Sequence, residues 1–389
     1  MPGSATPPQT EWALLRTACS HLPTDEKTSR IRTLLNQQIH WQILFELADH
    51  HGVQPILTQA LAGLDDRIPP QELVTLKKNY DANLHKALFL SREFLRIVDC
   101  LSQAGIEFMP YKGLALAEMI YGDIALRQSG DIDLLIHAAD LKRTREAVRE
   151  LGYMPHSNLS DSEEAAYLRS GYECVFDGPA GKNLLEVQWA ILPRFYAVEL
   201  DVEQIFRRAI QSTVAGVAVK TPSLEDTFLL LSLHAAKHVW ERLIWICDLA
   251  RISQFPGMNW NWIGNQSREL GIARIVRVAL LLAKGLLESP IPKAAEENVP
   301  QDEFAGEMAK EIRDQISGRQ NCDVESLKYF KLMMRLRERS TDRFRFMSRL
   351  ALTPGPGEWR LIELPKSLSP LYRIIRMSRL LGRVVSGRI

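Results

Sequence analysis

The sequence predicts an α+β protein: a small sheet-bearing core with helical regions before and after it. Three observations support this. Apolar residues recur at helical spacing through residues 10–104 and again from residue 223. Between them, short apolar and alternating runs replace that spacing. Glycine, proline and Asp-Gly clusters fall where the period changes.

Residues 10–104 form the N-terminal helical region. Trp41, Ile43, Leu44, Leu47 and Ala48 share a helical face, and His50-His51-Gly52 closes that stretch. Pro69-Pro70 starts a second helix that runs to Ala104, with Gly105 as its stop. Residues 105–222 form the core. Residues 106–110 read as a strand, 114–120 as a helix and 131–136 as a strand that turns continuously apolar. Residues 139–151 are a charged amphipathic helix ending at Gly152. Residues 172–176 and 184–191 flank the turn cluster Asp177-Gly178-Pro179-Ala180-Gly181, which predicts a hairpin. Residues 214–220 add a strand candidate. The C-terminal helical region spans 223–353. Ser223 followed by Asp226 fits a helix cap, and Gly264 and Gly271 interrupt a long helical stretch over 259–287. Residues 290–300 read as a loop. Residues 354–389 are a Pro/Gly-rich, then basic, tail.

Composition narrows the function classes. The chain has 389 residues, with 48 Lys plus Arg against 47 Asp plus Glu, so no net field recruits nucleic acid. The cysteines Cys19, Cys100, Cys174, Cys247 and Cys322 are odd in number and widely spaced, which fits reduced thiols and a cytoplasmic protein. The N-terminus lacks a basic segment followed by an apolar one, so no secretory signal is expected. No apolar run is long enough to span a membrane.

The chemistry concentrates at 111–136, YKGLALAEMIYGDIALRQSGDIDLLI. Asp131 and Asp133 are two apart on a strand, so both carboxylates leave the same face. Paired hard oxygen donors suit Mg²⁺ (or Mn²⁺), and two such ions clamp an in-line phosphoryl displacement. One Asp-x-Asp is expected by chance in a chain of this length, and a surface turn is the bland alternative. Context favours a metal site. The pair starts a strand-like run, it follows the Lys112-Gly113 junction of strand and helix, and Glu186 heads a later strand with Gln188 on its face. Gly113 lets backbone approach a ligand, and the helix behind it presents free N–H groups to phosphate. Lys112 and Arg127 are cations suited to triphosphate oxygens, although Arg127 could equally pair with Asp131 or Asp123 and hold the loop.

The order Lys112-Gly113, Arg127, Asp131-x-Asp133, Glu186-x-x-Trp189 resembles the DNA polymerase β-like nucleotidyltransferase superfamily. More narrowly it resembles a largely uncharacterised bacterial nucleotidyltransferase-like family. Residues 224–252, with His234, Lys237, His238, Trp240, Leu243 and Asp248, share that resemblance, as does the tail. The resemblance implies a small mixed β-sheet carrying three carboxylates. It implies Mg²⁺-dependent (or Mn²⁺-dependent) transfer of a nucleoside monophosphate from an NTP, with release of pyrophosphate. Asp131, Asp133 and Glu186 would be the metal-binding, catalytic residues, and Glu186 a base for an acceptor hydroxyl. The acceptor would be a small molecule, peptide or protein, not nucleic acid. Leu114 stands where the superfamily usually has serine, and Gln188 where relatives often have histidine. These departures support the alternative of an inactive nucleotide-binding sensor or scaffold.

His234 and His238 lie i and i+4 on one helix face. With no third ligand in sight, His234 is expected to pack against the sheet or to contact nucleotide. Trp240 and Trp245 are expected in the core. The tail, free of acids after Glu363, carries Lys366, Arg373, Arg376, Arg379, Arg383 and Arg388. It is expected to dock its apolar side on the body, with contact to an anionic membrane or to RNA as the alternative.

Overall fold

A computed structural model describes residues 9–156, 167–168, 170–316, 326–359, 361–362, 364 and 366–385. The expectations placed on Cys322, Glu363 and Arg388 lie outside these residues. The N-terminal region is wholly helical: α1 (Gln9–Cys19), α2 (Thr24–Leu35), α3 (Trp41–His50), α4 (Gln54–Leu61) and the long α5 (Pro70–Gln103). Pro70 sits in the first turn of α5, where its missing N–H costs nothing. Gly105, at φ +61°, ends the helix in the left-handed conformation that glycine adopts without strain.

The core is a five-stranded mixed sheet, as the resemblance implied. Its strands are β1 (Phe108–Pro110), β2 (Asp131–Ile136), β3 (Met154–Pro155), β4 (Glu173–Asp177) and β5 (Leu184–Gln188), in the order β1-β2-β5-β4-β3. Only β2 and β5 run parallel. Strands β4 and β5 form the expected hairpin, which ends at Gln188 rather than continuing to residue 191. Between β1 and β2 the chain makes a short helix α6 (Gly113–Leu116) that widens into a π-turn at Ala117–Tyr121.

Alternation divides the sheet into two faces. Ile132, Leu134, Ile136, Phe176, Leu185 and Val187 are buried on one, in a core shared with Phe94 and Ile97 of α5 and with Leu141 and Val148 of α7 (Leu141–Glu150). The opposite face carries Asp131, Asp133, Glu186 and Gln188, and its far end carries Leu135, which joins the larger core formed with the helical regions. The strand expected at 214–220 is half of a separate hairpin, β6 (Ile210–Val214) with β7 (Val217–Thr221), which follows the short α8 (Val202–Arg207).

The C-terminal region starts with α9 (Leu224–Lys237) and α10 (Leu243–Ser253). Ser223 caps α9 by accepting from the Asp226 N–H at 3.1 Å, as its spacing predicted. A tight turn breaks the 224–252 segment in two. Val239 and Trp240 both have positive φ there, a strained arrangement secured by the fully buried Trp240. The 259–287 stretch divides at Gly271 into α11 (Trp260–Glu269) and α12 (Ala273–Leu287). The stretch 290–300, expected to be a loop, contains helix α13 (Lys293–Asn298), whose Ala295 is buried. Then follow α14 (Glu303–Ile316), α15 (Leu327–Arg335), α16 (Ser340–Leu352), α17 (Pro356–Trp359) and α18 (Tyr372–Val385). Among the described residues, no helix is long and apolar enough to cross a membrane.

The tail meets the body along α16, where Arg376 donates to the Leu350 carbonyl at 2.5 Å. Arg376 and Arg379 pair with Glu358 at 3.2 and 3.0 Å, while Ile374 and Met377 point outward. Glu358 belongs to the tail itself, and as a buried charge it requires these partners.

Candidate metal and nucleotide site

The three carboxylates converge because of register. Asp133 and Glu186 are direct partners across the parallel β2–β5 pair, so their side chains rise from the same face, and Asp131 is two residues earlier on that face. One oxygen from each of Asp131, Asp133 and Glu186 lies within 4.8 Å of the others. This donor set is hard, anionic and partly buried, and it fits a divalent cation that prefers carboxylate oxygens.

The electrostatics show what that proximity costs. The charge of Asp133, then burial, raises the Asp131 carboxyl above its ordinary range. Burial pushes Asp133 up to about 6, even with Lys112 pulling the other way. Lys112 supplies the compensating charge: its Nζ lies 2.5 Å from Asp133 Oδ1 and 3.7 Å from Glu186 Oε2. Burial opposes the lysine's charge, yet Asp133 and the other acids hold its pKa well above the usual lysine value.

Gly113 is required here for two physical reasons. Its φ is +54°, and a Cβ would stand 3.3 Å from the Asp131 carbonyl oxygen and 4.0 Å from Asp133 Oδ2. The chain therefore passes close over the start of β2, with Lys112 on one side of the turn and α6 on the other.

Arg127 is placed otherwise. Its guanidinium grips Asp248 of α10, with Nε at 3.1 and 3.2 Å and Nη2 at 2.9 Å, and Nη1 donates to Ser129. Tyr121 also donates to Asp248, at 2.8 Å. Neither Asp131 nor Asp123 is its partner, and Asp123 instead caps the short turn at Ala125. The pair ties the loop before β2 to α10, a link across 121 residues that spacing in the sequence does not reveal.

His234 of α9 and His238, which follows its last residue, lie side by side. Their rings are 4.9 Å apart and both lie about 5 Å from the Trp245 ring. Burial, then the charge of Lys112, holds His234 neutral, its pKa far below the ordinary value. Burial, then Lys237, depresses His238 to about 3.

A polar chain not foreseen from the sequence extends from the triad. Buried Gln188 donates to Glu186 Oε2 at 3.2 Å and to Glu173 Oε2 at 3.3 Å, and it accepts from the Tyr111 hydroxyl. Tyr172 donates to Glu173 and accepts from Lys237 at 2.7 Å. The alternation that places Gln188 beside Glu186 is visible in the sequence, whereas the pairing that brings Glu173 opposite Gln188 is not.

No curated protein and no solved structure matches the chain. A model of a family described as "uncharacterised nucleotidyltransferase" matches residues 37–288, a span running from just before α3 to just beyond α12 and including the whole sheet. With well over half its length matched, the chain belongs to that uncharacterised nucleotidyltransferase family.

Proposed function

We propose that this chain moves a nucleoside monophosphate from an NTP to an acceptor oxygen, with release of pyrophosphate. The observation that carries the reading is the triad itself: three carboxylates on two in-register parallel strands, within 4.8 Å of one another. Asp131, Asp133 and Glu186 would hold Mg²⁺ or Mn²⁺, which when bound neutralises and aligns the triphosphate.

The chain's own residues do the rest. The turn at Gly113 and the amide groups behind it offer a close approach for phosphate oxygens. Lys112 gives a cation that can trade Asp133 for a phosphate oxygen. Neutral His234 supplies a hydrogen-bonding edge for nucleotide without adding charge. Arg127 acts by fixing the loop that leads into β2, through Asp248 and Ser129. Glu186, oriented by Gln188, accepts the proton of the acceptor hydroxyl as its oxygen bonds to the α-phosphorus. The bond from the α-phosphorus to the bridging oxygen breaks, and pyrophosphate leaves with that electron pair.

A second reading has its own support. Lys112 already neutralises Asp133 and Glu186 from within, an arrangement suited to a sensor that binds nucleotide without turnover. Labelled NTPs with Mg²⁺ and a cell lysate separate the two. Transfer of label with release of pyrophosphate supports the enzyme. Nucleotide binding by calorimetry without pyrophosphate release supports the sensor and rejects the enzyme.

A further inference from the structure

A cavity of about 980 Å³ lies between the triad's side of the sheet and the C-terminal helices. That is at the upper end of the size range for small-molecule sites. Its near wall includes Tyr172, Lys237 and His238, and its far wall includes Phe330, Phe346 and Leu350. The near wall leads to the triad through two bonded neighbours: Tyr172 donates to Glu173, and Gln188 joins Glu173 to Glu186.

Several of the polar groups around this space are already engaged. The Tyr196 and Tyr329 hydroxyls bond each other, and Tyr329 also bonds the Lys237 carbonyl. Arg376 and Arg379 are held by Glu358. Much of the remaining lining is carbon. A sugar or a polyamine would enter by stripping water from many polar groups, at about 1–3 kcal/mol for each one left unpaired. The mouth gives an independent indication. Phe344 and Met347 line the cavity yet are 70% and 44% exposed, a rim that water alone does not favour and that an apolar molecule would cover.

We propose that this cavity is the acceptor site and that the acceptor is a long-chain alcohol, aliphatic or isoprenoid. The inference rests on the nucleotidyl-transfer reading above and names its acceptor class. The chain's hydroxyl would project past Tyr172 and Lys237 towards the triad, with its hydrocarbon body against the phenylalanines. The alcohol oxygen bonds to the α-phosphorus of the NTP, its proton passes to Glu186, and the products are an alkyl or prenyl nucleoside monophosphate ester and pyrophosphate.

The test uses the full chain and the uncharged fluorescent probe N-phenyl-1-naphthylamine, displaced by decanol, farnesol or glucose. Farnesol or decanol is expected to displace the probe and glucose to have no effect. Farnesol preferred over decanol identifies an isoprenoid, and the reverse an aliphatic chain. Ala351→Trp fills the cavity and Met347→Trp blocks its rim. Each is expected to weaken alcohol binding about tenfold or more, with Mn²⁺ binding at the triad unchanged as the control for folding. With Mg²⁺ and labelled NTP, the bound alcohol is expected to take up label. Failure of both alcohols to displace the probe, or displacement unaltered in both variants that retain Mn²⁺ binding, overturns the site. An alcohol that binds but takes no label, while the protein still releases pyrophosphate from NTP, overturns its role as acceptor. A protein that binds farnesol but neither Mn²⁺ nor NTP overturns the underlying nucleotidyl-transfer reading, and the cavity then stands only as an apolar-ligand site.

Discussion

Asp248→Asn tests whether Arg127 is above all a structural cation. Asp248 is fully buried and accepts three contacts from the Arg127 guanidinium between 2.9 and 3.2 Å, plus one from Tyr121 at 2.8 Å. The guanidinium is itself only 8% exposed, so it has no route to water if its partner loses charge. Breaking a buried ion pair by removing one charge costs about 3–5 kcal/mol. Asparagine keeps one carbonyl acceptor, which places Asp248→Asn near the lower end, at about 3 kcal/mol. That is a large part of the roughly 5–15 kcal/mol by which a domain is stable. Equilibrium urea unfolding of the metal-free protein measures it. The double variant Arg127→Met/Asp248→Leu removes both charges and is expected to recover most of the loss. It also leaves a folded protein in which any contribution of Arg127 to nucleotide affinity can be read alone. A loss below about 1 kcal/mol in Asp248→Asn, or a double variant as unstable as the single one, refutes the reasoning.

Three further outcomes follow from the site. Gly113→Ala forces a side chain into left-handed backbone and against the Asp131 carbonyl, so it is expected to cost about 1–2 kcal/mol in urea unfolding and to weaken Mn²⁺ binding; unchanged values for both contradict the close approach. Lys112→Met removes a cation 2.5 Å from Asp133, so Mn²⁺ affinity by calorimetry is expected to rise while the metal-free protein loses thermal stability; a fall in affinity would mean that the lysine assists the metal rather than competing with it. His238 is depressed from 6.5 to about 3 in the folded chain, so its contribution to stability is complete above about pH 6.5 and is lost as pH falls towards 3. The slope is at most about 1.4 kcal/mol per pH unit, and His238→Gln is expected to flatten the acid limb of the stability profile measured by urea unfolding; an unaltered limb excludes that assignment.

The parts legible in the sequence are those set by local rules. Proline at the start of α5, glycine at its end and Ser223 before α9 marked helix boundaries correctly, because caps and stops are properties of a few adjacent residues. Asp131 and Asp133 were readable as a pair because strand alternation is local as well. Glu186 was recognised as a third carboxylate, yet its register opposite Asp133 depends on a parallel pairing that no spacing encodes. The same limit hid Asp248 as the partner of Arg127, and Glu173 and Tyr111 as partners of Gln188. It also hid the pairing of Arg376 and Arg379 with the buried Glu358 inside the tail. The position of the break between α9 and α10 is not legible because Val239 and Trp240 are poor candidates for left-handed backbone, and only tertiary burial of the indole fixes them there.

The central claim is that Asp131, Asp133 and Glu186 form one divalent-metal centre serving nucleotidyl transfer. Titration calorimetry with Mn²⁺, in the presence of a non-hydrolysable NTP analogue, tests it most directly. The account predicts saturable Mn²⁺ binding that strengthens with the analogue and falls about tenfold or more in Asp133→Asn, with the far-ultraviolet circular dichroism of the variant unchanged. Equal Mn²⁺ binding by the wild-type chain and Asp133→Asn, or no coupling between Mn²⁺ and the analogue, would contradict it.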